Sequence, residues 1–387
     1  MREAVIVSAV RTPIARMRGS LQYMYPAEYG GLVIKEALQR VQVTGEEVDD
    51  VIFGNCLGGG GNIGRLSLLH AGLPVSTPGM TIDRQCGSGI NTVALAAEAI
   101  LAGSGKIFVA GGTESMTRAP YLMAPPAQAF DRMPPSFVRR QLSPDFIGDP
   151  PMGITAENLA EQYNISREEQ DAFALRSQQK MAAAMESGIF DEQIVPVTIV
   201  GKKGETTLFA KDEHPRPDTT LEGLAKLKPV FKKDGTVTAG NSSGVNDGAS
   251  ALVLMAGEEA QRRGLTPLVR VTHWAVAGVD PNIMGIGPVP ATRKVLEKAG
   301  LTLDDIDLIE INEAFAAQVL ACDRELHLDW DKVNVNGGAI AHGHPIAATG
   351  GMLVAKLAYE MKRREVKRGL VTACIGGGQG IALILER

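Results

Sequence analysis

The chain has 387 residues, a length that suits about two or three domains with substantial cores. Its 44% hydrophobic and 21% charged residues are ordinary for a water-soluble protein, and a net charge of −5 offers no basic face, which argues against nucleic acid and anionic membranes as partners. No apolar run reaches the ~18 residues of a membrane span, Met1-Arg-Glu-Ala-Val-Ile-Val lacks the apolar core of a secretory leader, and four cysteines without CxxC plus six histidines without HExxH predict neither a disulfide scaffold nor a metal site. The expected setting is the cytoplasm.

In chain order, Ala4 to Val10 reads as a strand, followed by strands at Asp50 to Phe53 and Lys106 to Ala110. Between the last two, Ile90, Val93, Ala94, Ala97, Ile100 and Leu101 recur at spacings of three and four, which predicts a helix. Residues 120–151 carry eight prolines and no period, so an ordered loop without helix or sheet is expected. Thr155 to Ser187 reads as two helices, with Ser166 as N-cap and Glu169 completing a capping box. Further strands are expected at Leu268 to Val271, Leu308 to Ile311, Leu370 to Ala373 and Ile381 to Leu385, and a helix from about Thr349 to Met361. Strands alternating with helices predict an α/β protein with mostly parallel sheets.

Three strand segments recur in order at a nearly constant offset. Residues 4–10 resemble 268–274, residues 48–55 resemble 305–312, and residues 106–112 resemble 369–377. The pattern predicts a duplicated α/β unit. The material at 118–244 reads as an insertion that covers a site on the paired halves.

Cys86 follows Thr81-Ile-Asp-Arg-Gln and precedes Gly87-Ser-Gly at a helix start. Unpaired N–H groups and the helix dipole there would lower a thiol pKa, which points to a nucleophile; the plain alternative is a small buried residue. His344 lies in the glycine-dense stretch 336–351, fixed by Pro345, and could polarise a carbonyl or take a thiol proton, or be structural. Cys374 ends a strand at three glycines, whose N–H groups could line an oxyanion hole; it could equally close a buried strand. Asn312 ends another strand, and either holds a water or carbonyl or caps the next helix. Cys322 reads as core. Gly59 to Gly64 fits the dinucleotide pattern GxGxxG with Asp83 downstream, and Gly240-Asn-Ser-Ser-Gly fits the GxSxG of hydrolases; both are loose matches in a glycine-rich chain.

Cys-Gly-Ser-Gly at 86–89, Asn-Glu-Ala-Phe at 312–315, Gly-His-Pro at 343–345 and Cys-Ile-Gly-Gly-Gly at 374–378 together resemble the thiolase family. Arg11-Thr-Pro, Gly111-Gly-Thr-Glu-Ser-Met and Gly235 to Gly244 extend the resemblance along the chain. It implies two similar α/β halves in helix and sheet layers, residues 1–117 completed by 245–266 and residues 267–387, with 118–244 as a loop domain over a coenzyme A site. It also implies roles. Cys86 would attack the 3-keto carbonyl of an acyl-CoA and become an acyl-enzyme, as in fatty-acid β-oxidation. His344 would activate Cys86 and, with a water on Asn312, hold the first oxyanion. Cys374 would protonate the acetyl-CoA enolate and later deprotonate coenzyme A, with the N–H groups of Cys86 and Gly376 as a second oxyanion hole. Coenzyme A, a substrate with no prosthetic group beside it, would meet Met152, Arg216, Phe231, Ala239, Ser243, Ala314 and Phe315, and the protein would be a homodimer or homotetramer.

The chain departs from the family pattern at two places. Pro151 stands where short-chain, acetoacetyl-type members carry histidine, which with the proline-rich loop leans towards longer 3-ketoacyl chains. Ala347 stands where the family commonly has glycine, and its methyl could crowd the turn. The rival readings are an acetoacetyl-specific thiolase, a ketoacyl synthase (which would place a second histidine at 374), a nicotinamide dehydrogenase and a non-catalytic acyl-CoA binder.

Overall fold

The computed structural model describes residues 2–130, 133–201 and 203–387. Met1 and two positions of the proline-rich stretch, 131 and 132, lie outside the described residues. The main strands are β1 (Ala4–Arg11), β2 (Asp50–Gly54), β3 (Gly79–Ile82), β4 (Ile107–Ser115), β5 (Asn246–Ala256), β6 (Val269–Gly278), β7 (Leu308–Ile311), β8 (Arg368–Ile375) and β9 (Gln379–Glu386). The main helices are α1 (Pro26–Arg40), α2 (Ile63–His70), α3 (Ser88–Ala102), α4 (Met152–Gln162), α5 (Arg167–Glu186), α6 (Pro288–Ala299), α7 (Ala316–Leu326) and α8 (Ile346–Arg364). The expected strands and helices are present. The predicted box at Ser166 is made: its hydroxyl accepts the Glu169 N–H at 3.1 Å, and its own N–H donates to Glu169 Oε2 at 2.8 Å. No helix of the described residues is long and apolar enough to cross a membrane.

In space the strands run β7-β8-β9-β6-β1-β5-β4-β2-β3. The expectation of mostly parallel pairing is wrong. Only β2–β3, β2–β4 and β7–β8 are parallel, and the rest are antiparallel. The reason is local. β8 and β9 are joined by a tight turn in which Gly377 and Gly378 take φ of +86° and +85°, a region that suits glycine, so the second strand must return against the first. β5 arrives after the insertion and runs against both neighbours. The pairing itself shows the duplication: β2-β4-β5-β1 and β7-β8-β9-β6 each read parallel, antiparallel, antiparallel. The two sets join through β1 and β6, with Ala4 opposite Val271 and Ile6 opposite Val269.

Side chains alternate across each half-sheet and so build three cores. Val5, Val51, Val109 and Val253 face α1 and α2. Ile309, Leu370, Ala382 and Ile384 face α6 and α7. Ile6, Ile52, Phe108, Leu254, Val371 and Leu383 close on α3 and α8, which fill the layer between the half-sheets. The order is therefore helix, sheet, helix, sheet, helix.

The insertion lies against this frame and is tied to it by a buried ion pair. Arg11 at the end of β1 donates to Asp212 at 2.8 and 2.9 Å. The proline-rich stretch is not wholly irregular, since Leu122–Met123 pairs with Phe137–Val138 as a short hairpin. Those residues carry no proline, which leaves their N–H groups free to pair.

Where α3 crosses α8, backbone meets backbone. A Cβ on Gly89 would lie 2.5 Å from the Gly351 N, and one on Gly350 would run into the Ile90 N. Gly350→Ala should therefore lower the unfolding free energy by roughly 1–3 kcal/mol through overpacking. A lower urea midpoint at unchanged m-value is the expected record, and wild-type stability would contradict the close crossing.

Candidate active site

β3 ends at Ile82 and α3 begins at Ser88, so Cys86 sits in the turn between them. That turn is held from several sides. Asp83 Oδ1 accepts the Gln85 N–H at 2.9 Å, and Ser88 Oγ accepts the Arg84 N–H at 2.8 Å while donating to the Gln85 carbonyl at 2.7 Å. Gln85 takes φ of +43°, unusual for a side chain of its size, and these bonds over-determine it. Gly87 is needed because a Cβ there would sit 2.6 Å from Ile375 Cδ1, at the end of β8.

The Cys86 sulfur is partly accessible and meets two backbone N–H groups, that of Gly376 and its own. Both favour a thiolate, but burial outweighs them and, with the Glu114 and Asp83 carboxylates, pushes the thiol up to about 11. The expectation that the helix start depresses this pKa is corrected: the resting group is a thiol.

His344 lies after Gly343, which takes φ of +96°. Its N–H donates to Asn246 Oδ1 at 2.9 Å. Its Nδ1 is 2.6 Å from Thr349 Oγ1, whose hydroxyl donates to the Pro345 carbonyl at 3.0 Å. With that hydrogen committed, Thr349 accepts from Nδ1–H, and Nε2 keeps its lone pair. Asn312 Nδ2 lies 3.4 Å from Nε2. Burial lowers the imidazole to about 4, so it is neutral near pH 7.

Asn312 continues the β7–β8 ladder, donating its N–H to the Thr372 carbonyl at 2.9 Å. It does not cap the following helix, which begins at Ala316 with Phe315 at the cap position. Its Oδ1 is buried without a partner among the described residues. Cys374, two residues beyond Thr372 on β8, is fully buried. Burial raises its thiol, and Cys86 raises it further. Cys322 is core, as expected, and donates to the Gly285 carbonyl at 3.3 Å.

At the Gly376 turn, a Cβ would lie 3.2 Å from Leu142 Cδ1 and 3.5 Å from Met152 Sδ, so α4 and the loop before it wall this side. Ser243 donates its N–H to the Ala314 carbonyl at 2.9 Å, Ser242 bridges Phe315, and Val245 bridges His344. The Phe315 ring packs edge-on to Phe231 at 6.1 Å. Arg216 and Ala239 line a 310 Å3 cavity together with His214, Gln178 and Leu227.

Several residues around the site escape the sequence reading. Thr349 and Asn246 orient His344 only through the fold. Glu114 lies in the quoted 111–116 motif, but its role shows only in three dimensions. Its buried carboxylate, raised to about 7 by desolvation, accepts the N–H groups of Cys56, Leu57 and Ala347 at 3.1, 3.0 and 3.2 Å. Ala347 does not crowd a turn. It is inside the first turn of α8, and its methyl is accommodated by Gly54, whose Cβ would have stood 3.3 Å away.

The two loose motifs are structural. Ser242 Oγ donates to the Thr238 carbonyl at 2.6 Å and no strand precedes Gly240. The glycines before α2 lead to Asn62 as a side-chain cap, and Asp83 is engaged with Gln85 and Arg140.

The chain matches known proteins along its whole length. A family model of the thiolase N-terminal domain matches residues 4–258, and one of the thiolase C-terminal domain matches residues 265–387. The chain is 51% identical to an acetyl-CoA acetyltransferase of Escherichia coli K12, with all of both chains covered, and 49% identical to a beta-ketothiolase of Cupriavidus necator, with 100% of this chain and 99% of the relative covered. Two solved structures each superpose with a TM-score of 0.94 over 100% of this chain and 99% of theirs. They are the Bacillus anthracis acetyl-CoA acetyltransferase at 48% identity and the human mitochondrial 3-ketoacyl-CoA thiolase at 44%.

The tautomer is directly testable. With 15N-labelled histidine at pH 7, His344 should carry its proton on Nδ1 and remain neutral until the pH falls towards about 4. A titration midpoint near 6.5, the ordinary imidazole value, would contradict the buried, Thr349-bound ring.

Proposed function

Given that the chain belongs to the thiolase family and is a thiolase enzyme, we propose that it cleaves 3-ketoacyl-CoA with coenzyme A through an acyl-enzyme on Cys86. The observation that carries this reading is that the turn bearing Cys86 packs on the end of β8, where a Gly87 Cβ would lie 2.6 Å from Ile375 Cδ1 and a Gly376 Cβ 3.9 Å from Gln85 Cγ, so that the main-chain N–H groups of Cys86 and Gly376 both favour charge on the Cys86 thiol. The same two N–H groups would receive the oxygen of a thioester formed on that sulfur.

The thiol and the imidazole are both neutral at rest, so the Cys86 proton passes to His344 Nε2 as sulfur bonds to the 3-keto carbon. The oxygen that gains charge is held by the newly protonated Nε2 and by a water on Asn312, whose unpartnered Oδ1 can accept that water's proton. The C–C bond then breaks towards the thioester, and Cys374 gives its proton to the enolate carbon, releasing acetyl-CoA. Cys374 next takes the proton of incoming coenzyme A, whose sulfur attacks the acyl-enzyme. The oxyanion is now held by the Cys86 and Gly376 N–H groups, and Cys86 departs with a proton returned from His344. Run backwards, the same steps are a Claisen condensation.

Coenzyme A would enter over Phe231, Phe315, Ser243 and Ala314 with Met152 at the acyl end, and Arg216 in the 310 Å3 cavity would meet its phosphates. Phe130, Phe146 and Tyr121 are 94%, 89% and 85% exposed in the insertion, apolar surface that a homodimer or homotetramer would cover. The net charge of −5 fits a cytoplasmic enzyme.

Cys86→Ser should give no acyl adduct by intact-mass spectrometry while keeping the fold, and its turnover should fall below the wild type by about 10³-fold or more. Cys374→Ala should still load the acyl group slowly but not condense; loss of loading alone would overturn the division of labour. Pro151 in place of histidine favours longer chains, whereas the relatives named acetyl-CoA acetyltransferase favour acetoacetyl-CoA. Thiolysis measured from four-carbon to twelve-carbon 3-ketoacyl-CoA decides between them: kcat/KM that holds or rises with length supports the first, and activity on acetoacetyl-CoA alone the second. No turnover at any length would leave only acyl-CoA binding.

A further inference from the structure

The segment from Arg139 to Asp149 lies on both turns of the site. Arg140 forms an ion pair with Asp83, and Asp83 Oδ1 accepts both the Gln85 N–H at 2.9 Å and Gln85 Nε2 at 2.8 Å. Asp83 therefore holds the left-handed residue that immediately precedes Cys86. Two residues beyond Arg140, the Leu142 side chain covers Gly376, and its carbonyl lies 2.8 Å from the position a Gly377 Cβ would take. The segment is braced internally by Asp149, which accepts the Leu142 N–H at 3.3 Å and pairs with Arg139. It is anchored to the body by Asn282 Nδ2, which donates to the Ile147 carbonyl at 2.9 Å.

We propose that the Arg140–Asp83 ion pair is a positioning contact through which docking of this covering segment raises the reactivity of Cys86. The proposal rests on Cys86 being the nucleophile. With Arg140 away, Asp83 stands as a bare carboxylate three residues from the sulfur and opposes a thiolate. With Arg140 in place that charge is neutralised while the Gln85 contacts stay. Asp83 and Arg140 are 33% and 41% exposed, so they can part without stranding a buried charge.

The other groups facing the thiol belong to the fixed frame. Glu114 is buried and bonded to three backbone N–H groups, and Cys374 and Cys56 are buried thiols. His344 is locked on Thr349, and Arg84 is turned to Gln379 Oε1 at 3.2 Å. The segment that walls the acyl end at Gly376 is thus also the one that cancels the adjustable negative charge beside the nucleophile. A thiol under an open loop is less reactive towards stray electrophiles.

The test is the rate of Cys86 alkylation by iodoacetamide in the full-length protein from pH 7 to 10, resolved by peptide mass spectrometry. Arg140→Ala should slow alkylation about threefold at fixed pH, as expected for a partly solvated charge several ångströms away, whereas Asp83→Asn, which keeps the turn acceptor and releases Arg140 to solvent, should stay within about 1.5-fold of the wild type. In the Asp83→Asn background, Arg140→Ala should change the rate less than about 1.5-fold, because the charge it cancels is gone. Asp83→Ala, which loses the acceptor, should alter the rate at every pH without shifting the midpoint alone. Faster alkylation in Arg140→Ala would mean that the loop only shields the thiol. Equal effects of Arg140→Ala in both backgrounds would mean that no charge is relayed through Asp83. Either result overturns the proposal. Turnover surviving in Cys86→Ser would instead defeat the nucleophile assignment, which the alkylation series does not measure.

Discussion

The site depends on the backbone contact between α3 and α8. Each helix begins just after a residue to which the proposed mechanism assigns chemistry: α3 follows Cys86 and α8 follows His344. Gly89 and Gly350 let the two helices touch main chain to main chain, so their first turns lie side by side between the half-sheets. Any side chain at the crossing would push the helix starts apart and with them the sulfur and the imidazole. Glu114 fastens the same junction, its Oε1 accepting from Leu57 in the loop after β2 and its Oε2 from both Cys56 in that loop and Ala347 in the first turn of α8. A carboxylate at a helix start also meets the positive end of the dipole, which helps offset its burial.

Burial leaves the reactive groups uncharged. The Cys86 and Cys374 thiols are raised and the His344 imidazole is lowered, in each case first by desolvation. An ion pair at rest would have to be supported in the interior, where isolated charges are costly. A neutral site defers charge to the moment of bond making, where fixed donors are ready for it. This differs from a cysteine site poised as thiolate, and in the proposed mechanism it gives the proton to His344, whose free lone pair on Nε2 is fixed by Thr349.

Much of this was legible in the sequence. Alternation and helical spacing located the strands and α3, and the Ser166 box marked the start of α5 to the residue. The glycine flanks of Cys86, His344 and Cys374 marked turns because such turns need either positive φ or close backbone approach. Strand direction was not legible, since an apolar run in β5 reads alike whichever way its neighbour runs. Asn312 shows a similar limit: its residue type suits a cap and a strand-end donor equally, and only the start of α7 at Ala316 separates them. The thiol pKa was misjudged because a helix start is visible in the sequence whereas the walls that bury it, from α4, β8 and the covering loop, come from distant segments. Thr349 and Asn246 carry no signal of their own, being ordinary polar residues until the fold aims them at one ring.

One consequence follows from the donors at Cys86 and Gly376 being main-chain amides. No genetic substitution short of proline deletes an amide hydrogen, so this part of the machinery is shielded from mutation in a way that His344 and Asn312 are not. The side chains that wall it, Leu142 and Met152, can change in size and polarity without touching those amides. Substrate range can therefore diverge among descendants of such a scaffold while the anion cradle is inherited unchanged.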